Sequence, residues 1–364
     1  MPDTPHLLVA ISPHGFGHTT QTAPVINALR RRIPDLRLTL RTTVPRALLE
    51  ARFEGAFEHV PVASDFGMSM ASAVDVQVEH SAARYARLHE NWEQKVAHEA
   101  QALAALKPDL VLANVPYLPL AGAARAGIPA CALCSLNWAD IYLHYCGARP
   151  EAAEIHAHML AAYNSAAVFL QTEPHMPMAD IARRRPIGPV ARVGKNRRAE
   201  INALLGLSEH ERLVLIAPGG IALRLPMEDW PRLPHVRWLV AEAWRVQHPD
   251  AIPLERLGMH FVDILHSCDA LIGKPGYGSF AEAACNGVPV LYLKRHDWPE
   301  EPYLVEWLAR HGRCLEIERD ALARGDIYEP LRALWEMSAP TVPKPTGTEE
   351  GAQCLFTELK VMSG

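Results

Sequence analysis

The sequence predicts an α/β protein with two domains, each built around a parallel sheet that carries helices on both faces. The first observation is the length of 364 residues, which exceeds what one hydrophobic core usually organises. The second is that short apolar runs alternate with segments of helical spacing in the N-terminal half, and that this alternation begins again near Leu213. Strands separated by helices pair in parallel, so the pattern favours two sheets of this kind.

The composition excludes several classes of protein. Hydrophobic residues make up 49% and charged residues 21% of the chain, which is typical of a folded globular protein. The formal net charge of −5 lacks the basic excess of a nucleic-acid binder, so we expect no nucleic-acid partner. The sequence has no apolar run of about 18 residues, and Met1–Pro13 lacks the pattern of a signal peptide, so we expect no membrane span. Seven scattered cysteines suit a reducing compartment, and we expect a cytoplasmic location.

The domain boundaries follow from changes in composition. We predict an N-terminal domain over residues 1–182 and a C-terminal domain over residues 197–344. The linker is predicted over residues 183–196, which combine arginine, proline and glycine with little periodicity. Residues 83–106 are rich in helix formers and predict one long exposed helix, and residues 345–364 predict a last helix. The pattern gives no oligomeric state.

A turn with two glycines and two histidines follows the first predicted strand. Gly15 and Gly17 would let the backbone approach a ligand, and the next helix would offer its N-terminal amides. The turn is not a GxGxxG motif, so the dinucleotide fingerprint is not met. His14 or His18 could take a proton from a hydroxyl nucleophile, because histidine titrates near neutral pH. The alternative is that these histidines only cap a helix or fill the loop.

A second glycine loop follows a strand candidate in the C-terminal half. Gly276 and Gly278 lie in this loop, and Lys274 precedes them. A helix N-terminus beside a lysine suits a diphosphate. Ser279 and Glu282 have the spacing of a capping box, so they are predicted either to cap the helix or, in the case of Glu282, to reach a ribose diol.

Together the two motifs resemble those of the GT-B superfamily of glycosyltransferases. The matching residues are Gly17-His18, then Gly276 to Glu282 followed by Gly287-Val288-Pro289. The resemblance implies two Rossmann-like domains whose parallel sheets face each other across a cleft, with the acceptor on the N-terminal side and a nucleotide-sugar on the C-terminal side. It also implies that the tail, residues 345–364, returns to the N-terminal domain.

A narrower resemblance is to the glycosyltransferase-like N-terminal half of plant arabinokinases, and it runs from about Leu7 to about Cys314. Kinase activity is not part of what it implies, since the likeness is confined to that half. The segments that carry it are Gly15-Phe16-Gly17-His18, Asn137-Trp138-Ala139-Asp140-Ile141-Tyr142, Gly273-Lys274-Pro275-Gly276-Tyr277-Gly278-Ser279 and Arg295-His296-Asp297-Trp298-Pro299-Glu300-Glu301-Pro302-Tyr303-Leu304.

On the acceptor side, the resemblance makes His18 the catalytic base that deprotonates an acceptor hydroxyl. Plant-type enzymes orient this histidine with an aspartate, and the matching position here is Asn114. An amide can orient an imidazole but adds no charge, so Glu79 or Asp140 could supply the missing carboxylate. Trp138 and Asp140 could also line an acceptor pocket, together with the glycine turn. Ordinary packing is the alternative for Trp138.

On the donor side, the resemblance implies that Lys274 is a permanent cation that stabilises the leaving diphosphate and that Glu282 binds the ribose. Asp297, or Glu300 with Glu301, stands where relatives hold the sugar hydroxyls. The full set of donor-side candidates is Gly219, Gly220, Lys274, Gly276, Gly278, Ser279, Glu282, Asp297, Glu300 and Glu301.

The leading functional hypothesis is an inverting glycosyltransferase that needs no metal and no cofactor. Its donor would be a nucleotide-sugar, with UDP favoured by its frequency in the family, and the acceptor is not given by the sequence. One alternative is a non-catalytic nucleotide-sugar-binding or regulatory protein of the same fold, which Asn114 favours. Another is a nucleotide-sugar epimerase, which would need a cluster of acid and base carboxylates near the anomeric carbon.

Overall fold

The computed structural model describes residues 4–72, 74–218, 225–295 and 297–362. The chain divides into two compact units. Unit 1 comprises Met1–Ala71, Val76–Val190 and Thr346–Gly364, and unit 2 comprises Ser72–Asp75 and Ala191–Pro345. Each unit is a parallel sheet with helices on both faces, and the predicted α/β class is confirmed.

In the described part of unit 1, seven strands form one sheet in the order β3-β2-β1-β4-β5-β6-β7, and all neighbours are parallel. The order reverses between β1 and β4, which is the kind of junction where open α/β sheets bind ligands. Ile11 is paired with Asn114 there, so the turn after β1 lies beside the end of β4. The strands are β1 His6–Ile11, β2 Arg37–Arg41, β3 Glu58–Val60, β4 Leu110–Asn114, β5 Ala130–Cys134, β6 Val168–Thr172 and β7 Arg184–Ile187.

Helices cover both faces of this sheet. They are α1 Gly17–Arg32, α2 Arg46–Glu50, α3 Val78–His89, α4 Trp92–Leu106, α5 Leu118–Ala126, α6 Trp138–Cys146 and α7 Ala152–Ser165. The single helix predicted over residues 83–106 is wrong, because the chain breaks between α3 and α4, where Asn91 has a left-handed backbone with φ of 54°. The break lets α4 bury Trp92 and Leu103 as part of the core.

Unit 2 repeats this design in the residues that the structure describes, with six parallel strands in the order β10-β9-β8-β11-β12-β13. The strands are β8 Arg212–Ile216, β9 Val236–Val240, β10 Ala251–Pro253, β11 Ala270–Gly273, β12 Val290–Leu293 and β13 Cys314–Ile317. The helices are α8 Arg198–Leu205, α9 Phe261–His266, α10 Tyr277–Cys285, α11 Glu301–His311, α12 Arg319–Arg324 and α13 Tyr328–Glu336. Separate apolar clusters fill the two faces of the sheet.

The last helix, α14 Gly347–Met362, packs against α1 in unit 1. Its residues Leu355 and Leu359 belong to the same buried cluster as Val25 and Leu29 of α1. Part of the segment predicted as a linker is structured, because β7 pairs with β6 as the edge strand of the first sheet. The units separate between Val190 and Ala191. None of the helices described is long and apolar enough to cross a membrane.

Candidate functional site

The turn between β1 and α1 lies at the strand-order reversal in unit 1. The backbone N–H of Ser12 donates to the carbonyl of Asn114 at 2.8 Å, so the start of this turn is held beside the end of β4. Gly15 has φ of +78°, a conformation that side chains other than glycine rarely adopt. Gly17 borders open space, since a Cβ added there would meet no atom of the described residues within 4 Å. The backbone here can therefore approach a ligand.

His18 lies in the first turn of α1 and is held by Asn114. Its Nδ1 donates to the Asn114 Oδ1 at 2.8 Å, and this assigns the proton because an amide oxygen only accepts. Nε2 is then the basic nitrogen, and it has no hydrogen-bond partner among the described residues. Burial lowers the pKa of His18 to about 4, while the bond to Asn114 opposes the shift. The imidazole is therefore neutral at physiological pH and able to accept a proton.

Asn114 is itself fixed by a chain of buried amides and a hydroxyl. Its Nδ2 donates to the Gln21 Oε1 at 3.2 Å, and Gln21 donates to the Ser135 Oγ at 2.7 Å. The sequence reasoning missed Gln21 and Ser135. Gln21 stands three residues after His18, so helical spacing places both on one face of α1 and could have indicated it. Ser135, after β5, had no such local signal.

Neither carboxylate proposed as a substitute for an orienting aspartate contacts His18. Glu79 forms an ion pair with Arg149. Asp140 accepts a hydrogen bond of 2.9 Å from Asn137 and lies half-buried in the first turn of α6, where burial raises its pKa. That expectation is therefore wrong, and His18 is oriented by a neutral amide.

A different carboxyl group, Asp65, belongs to the surroundings of His18. Asp65 accepts a hydrogen bond of 2.6 Å from the indole Nε1 of Trp138. The Trp138 ring lies 5.7 Å from the His18 ring and 5.2 Å from the His14 ring, centroid to centroid. Trp138 is fully buried, so it supports the two imidazoles and does not form the exposed wall of a pocket. The loop that carries Asp65 has no periodicity, so no local sequence pattern indicates its contact with Trp138.

In unit 2, the glycine loop after β11 leads into α10 three residues earlier than expected. Gly276 is the N-cap residue in an extended conformation, and α10 begins at Tyr277. Ser279 therefore lies inside the first turn, and the predicted capping box with Glu282 is wrong, as no side-chain cap is present in the described residues. Gly278 is buried in this first turn, and the amide-rich helix start remains suited to an anion.

Lys274 and Glu282 flank this helix start and differ in their surroundings. Burial, followed by the positive charge of Arg295, lowers the pKa of Lys274 to about 7, while Glu300 opposes the shift. Lys274 is thus a group that titrates near neutral pH. Glu282 is buried, with 2% of its surface exposed.

The three acidic residues after β12 do not form one group. Glu301 accepts hydrogen bonds from the backbone of Arg295 at 3.0 and 3.1 Å, and burial raises its pKa to about 7. Glu300 accepts from the indole of Trp298 at 3.1 Å, and Asp297 is exposed. The buried glutamates brace this loop. Gly219 and Gly220 lie outside the described residues.

Comparisons with known proteins agree with this fold. The chain is 26% identical over 335 residues to an L-arabinokinase of Arabidopsis thaliana. The aligned region covers 88% of this chain and 31% of that protein. The chain thus spans about a third of the relative's length. No protein-family model matches.

Two solved structures align along the whole chain. The calicheamicin glycosyltransferase CalG4 gives a TM-score of 0.60 at 18% identity, covering 100% of this chain and 96% of that one. UGT89C1 of Arabidopsis thaliana, complexed with UDP, gives 0.55 at 15% identity, covering 99% of each chain. These likenesses establish the fold, and the resemblance to GT-B glycosyltransferases and arabinokinase drawn from the sequence is confirmed.

Proposed function

We propose that this protein is a glycosyltransferase that moves a sugar from a nucleoside-diphosphate sugar to an acceptor hydroxyl. A UDP-sugar is the favoured donor. The observation that carries the proposal is the neutral imidazole of His18, whose Nδ1 is held by Asn114 and whose Nε2 is left to accept a proton. It lies beside the strand-order reversal of the first sheet, where ligands of such sheets bind.

The reaction that this arrangement supports is a single displacement with inversion. His18 Nε2 takes the proton of the acceptor hydroxyl as its oxygen forms a bond to the anomeric carbon. The bond from that carbon to the diphosphate oxygen breaks, and the diphosphate keeps the electron pair. The Nδ1–H group stays hydrogen-bonded to the Asn114 oxygen, so the imidazolium that forms remains oriented.

Unit 2 is the proposed donor-binding unit. The amides at the start of α10 and the side chain of Lys274 suit the diphosphate, and a protonated Lys274 would stabilise the negative charge of the leaving group. Glu282 is proposed to bind the ribose. At Gly276 an added Cβ would meet, among the described residues, only the carbonyl of Lys274, at 4.0 Å, so the phosphates can approach the backbone there. We propose that neither a metal nor a further cofactor takes part.

One observation favours a second candidate, a protein that binds the nucleotide-sugar without turning it over. The partner of His18 is an uncharged amide, and burial lowers the pKa of His18 to about 4, so the imidazolium gains little stabilisation. Such a protein would bind the same ligand through unit 2 and act as a sensor.

The test is to incubate the protein with several UDP- and dTDP-sugars and to follow nucleotide release with and without a panel of hydroxyl acceptors. We expect acceptor-dependent release that is lost in His18→Ala, while nucleotide binding by calorimetry is unchanged. Glu282→Ala should weaken nucleotide binding. Binding without release would establish the sensor, an epimerised sugar would establish an epimerase, and equal turnover in His18→Ala would remove the base.

A further inference from the structure

Asp65 is a buried carboxyl group that the proposed reaction does not use. It lies in the loop between β3 and α3, with 7% of its surface exposed. One oxygen, Oδ2, accepts from the Trp138 Nε1 at 2.6 Å. The other oxygen, Oδ1, is buried and has no partner among the described residues. It is therefore the atom that can carry a proton without breaking the bond from Trp138.

Through the bond from Trp138 and the nearby Ser12 hydroxyl, Asp65 lies beside the two elements that place the imidazoles. Ser12 directly follows β1, and its backbone N–H donates to the carbonyl of Asn114 at 2.8 Å. Trp138 opens α6, and its ring contacts both His14 and His18. The loop itself packs on the same rings, because a Cβ added to Gly67 would lie 2.7 Å from each of the His14 and Trp138 side chains.

The surroundings of Asp65 contain little that would neutralise its charge. The titratable groups that interact with it are the buried tyrosines Tyr85 of α3, Tyr117 before α5 and Tyr163 of α7, and the pKa of each is raised well above its ordinary value by burial. His18 of α1 is neutral, and the His14 ring lies edge-on to Trp138 at an interplanar angle of 80°. Burial raises the pKa of Asp65 to about 7, while the nearby Ser12 hydroxyl and the bond from Trp138 oppose the shift.

We propose that Asp65 is a positioning residue for His18 that acts through Trp138. When ionised, it accepts a charge-assisted hydrogen bond from the indole and holds the ring against the imidazoles. When it is protonated, the bond becomes one between neutral groups, about half as strong, and Trp138 is held less firmly. The kinetic consequence rests on the function proposed above, whereas the hydrogen bond and its titration do not.

The first experiment needs no turnover. The indole ¹⁵N–¹H resonance of Trp138 is assigned in the full chain with Trp138→Phe and followed from about pH 5 to about pH 9. We expect it to titrate with a midpoint near 7, and we expect the titration to vanish in Asp65→Asn. In Asp180→Asn, which removes an exposed carboxylate of the same unit, it should be unchanged. A resonance that stays constant in the wild type, or titrates equally in Asp65→Asn, overturns the proposal even if that variant folds poorly.

The second experiment measures turnover against pH. In the wild type, activity should fall as pH drops through about 7, because the ionised form of Asp65 is the one that holds Trp138. In Asp65→Asn we expect kcat to be reduced about tenfold with KM for the nucleotide-sugar nearly unchanged, and the limb near 7 to disappear. An unaltered profile overturns the proposal. A wild type that turns over no donor would reject the proposed function instead, leaving the resonance experiment to decide the role of Asp65.

Discussion

His18 and Asn114 lie on neighbouring elements of the first unit and are joined by a hydrogen bond of 2.8 Å from the imidazole Nδ1 to the amide oxygen. Ile11 pairs with Asn114 across β1 and β4, and only the loop between β1 and α1 separates Ile11 from the helix that carries His18. This pairing therefore brings His18 close to Asn114. The amide fixes the tautomer of the imidazole but contributes no negative charge, so burial dominates the pKa of His18.

Asn114→Asp is expected to raise the pKa of His18 from about 4, by about one to three units, because an adjacent carboxylate stabilises the imidazolium. Turnover of the proposed reaction should rise, since the same charge stabilises the protonated base as the reaction proceeds. The pKa is measured from the imidazole resonances of His18, and the rate from nucleotide release.

Asn27→Asp is the matched control for that change. Asn27 is also buried and hydrogen-bonded, on α1, but its side chain bonds to the backbone of Arg52 and Glu54 and not to His18. Its substitution should cost stability without moving the pKa of His18. Identical His18 titrations in Asn114→Asp and Asn27→Asp would show that Asn114 does not control the charge of the imidazole.

Gly67→Ala is expected to destabilise unit 1 and to reduce turnover. Gly67 has φ of +61°, and an added Cβ would lie 2.7 Å from both the His14 and Trp138 side chains. The left-handed backbone costs an alanine about 1 kcal/mol, and overpacking adds about 1–3 kcal/mol. Gly127→Ala separates the two effects, because Gly127 has φ of +69° with no described atom within 4 Å of the added Cβ. Equal losses in denaturant unfolding would show that the contact with the rings is unimportant.

Site residues could be predicted where a pattern in the neighbouring sequence marks them, and not where contacts distant in sequence place them. Asn114 ends the apolar strand β4, and His18 comes soon after the apolar strand β1. The carboxyl ends of adjacent parallel strands meet at one edge, so their proximity could be inferred. The contact of Asp65 could not, since its partner Trp138 is distant in sequence and its loop has no repeating pattern. The start of α10 was misplaced because Ser279 is a good capping residue, yet Gly276 takes that position.

The same distinction applies to the fold. The alternation of strands and helices predicted both parallel sheets, because each element carries its own periodicity. The break between α3 and α4 depends on one residue, Asn91, adopting a left-handed backbone that tertiary packing selects. The reduced pKa of Lys274 likewise depends on burial and on Arg295, neither of which a linear motif contains.

Nucleotide binding is expected to weaken as pH rises above about 7, where Lys274 loses its proton in the free protein. A diphosphate favours the protonated lysine, so affinity should fall by up to about tenfold for each pH unit until the pKa of the complex is reached. The phosphates are already ionised in this range, since their last pKa is about 6. Calorimetry with UDP from about pH 7 to about pH 9 measures the slope.

Two substitutions distinguish Lys274 from other titrating groups. Lys274→Arg keeps a charge that does not titrate here, so its affinity should vary little with pH. Lys274→Met should bind UDP weakly at every pH. A pH dependence in Lys274→Arg equal to that of the wild type would assign the proton to another residue.

Leu355→Ala is expected to destabilise unit 1 by about 2–5 kcal/mol, because the side chain is fully buried in the cluster that α14 shares with α1 and β1. Leu48→Ala, in the same unit, removes a side chain that is 38% exposed and should cost much less. Denaturant unfolding followed by circular dichroism measures both changes. If the two variants were equally stable, α14 would be dispensable for unit 1. If only Leu355→Ala unfolds at a lower denaturant concentration, the C-terminal helix is part of the core that supports the His18 turn. The reason is that α1 carries both His18 and the residues on which α14 packs.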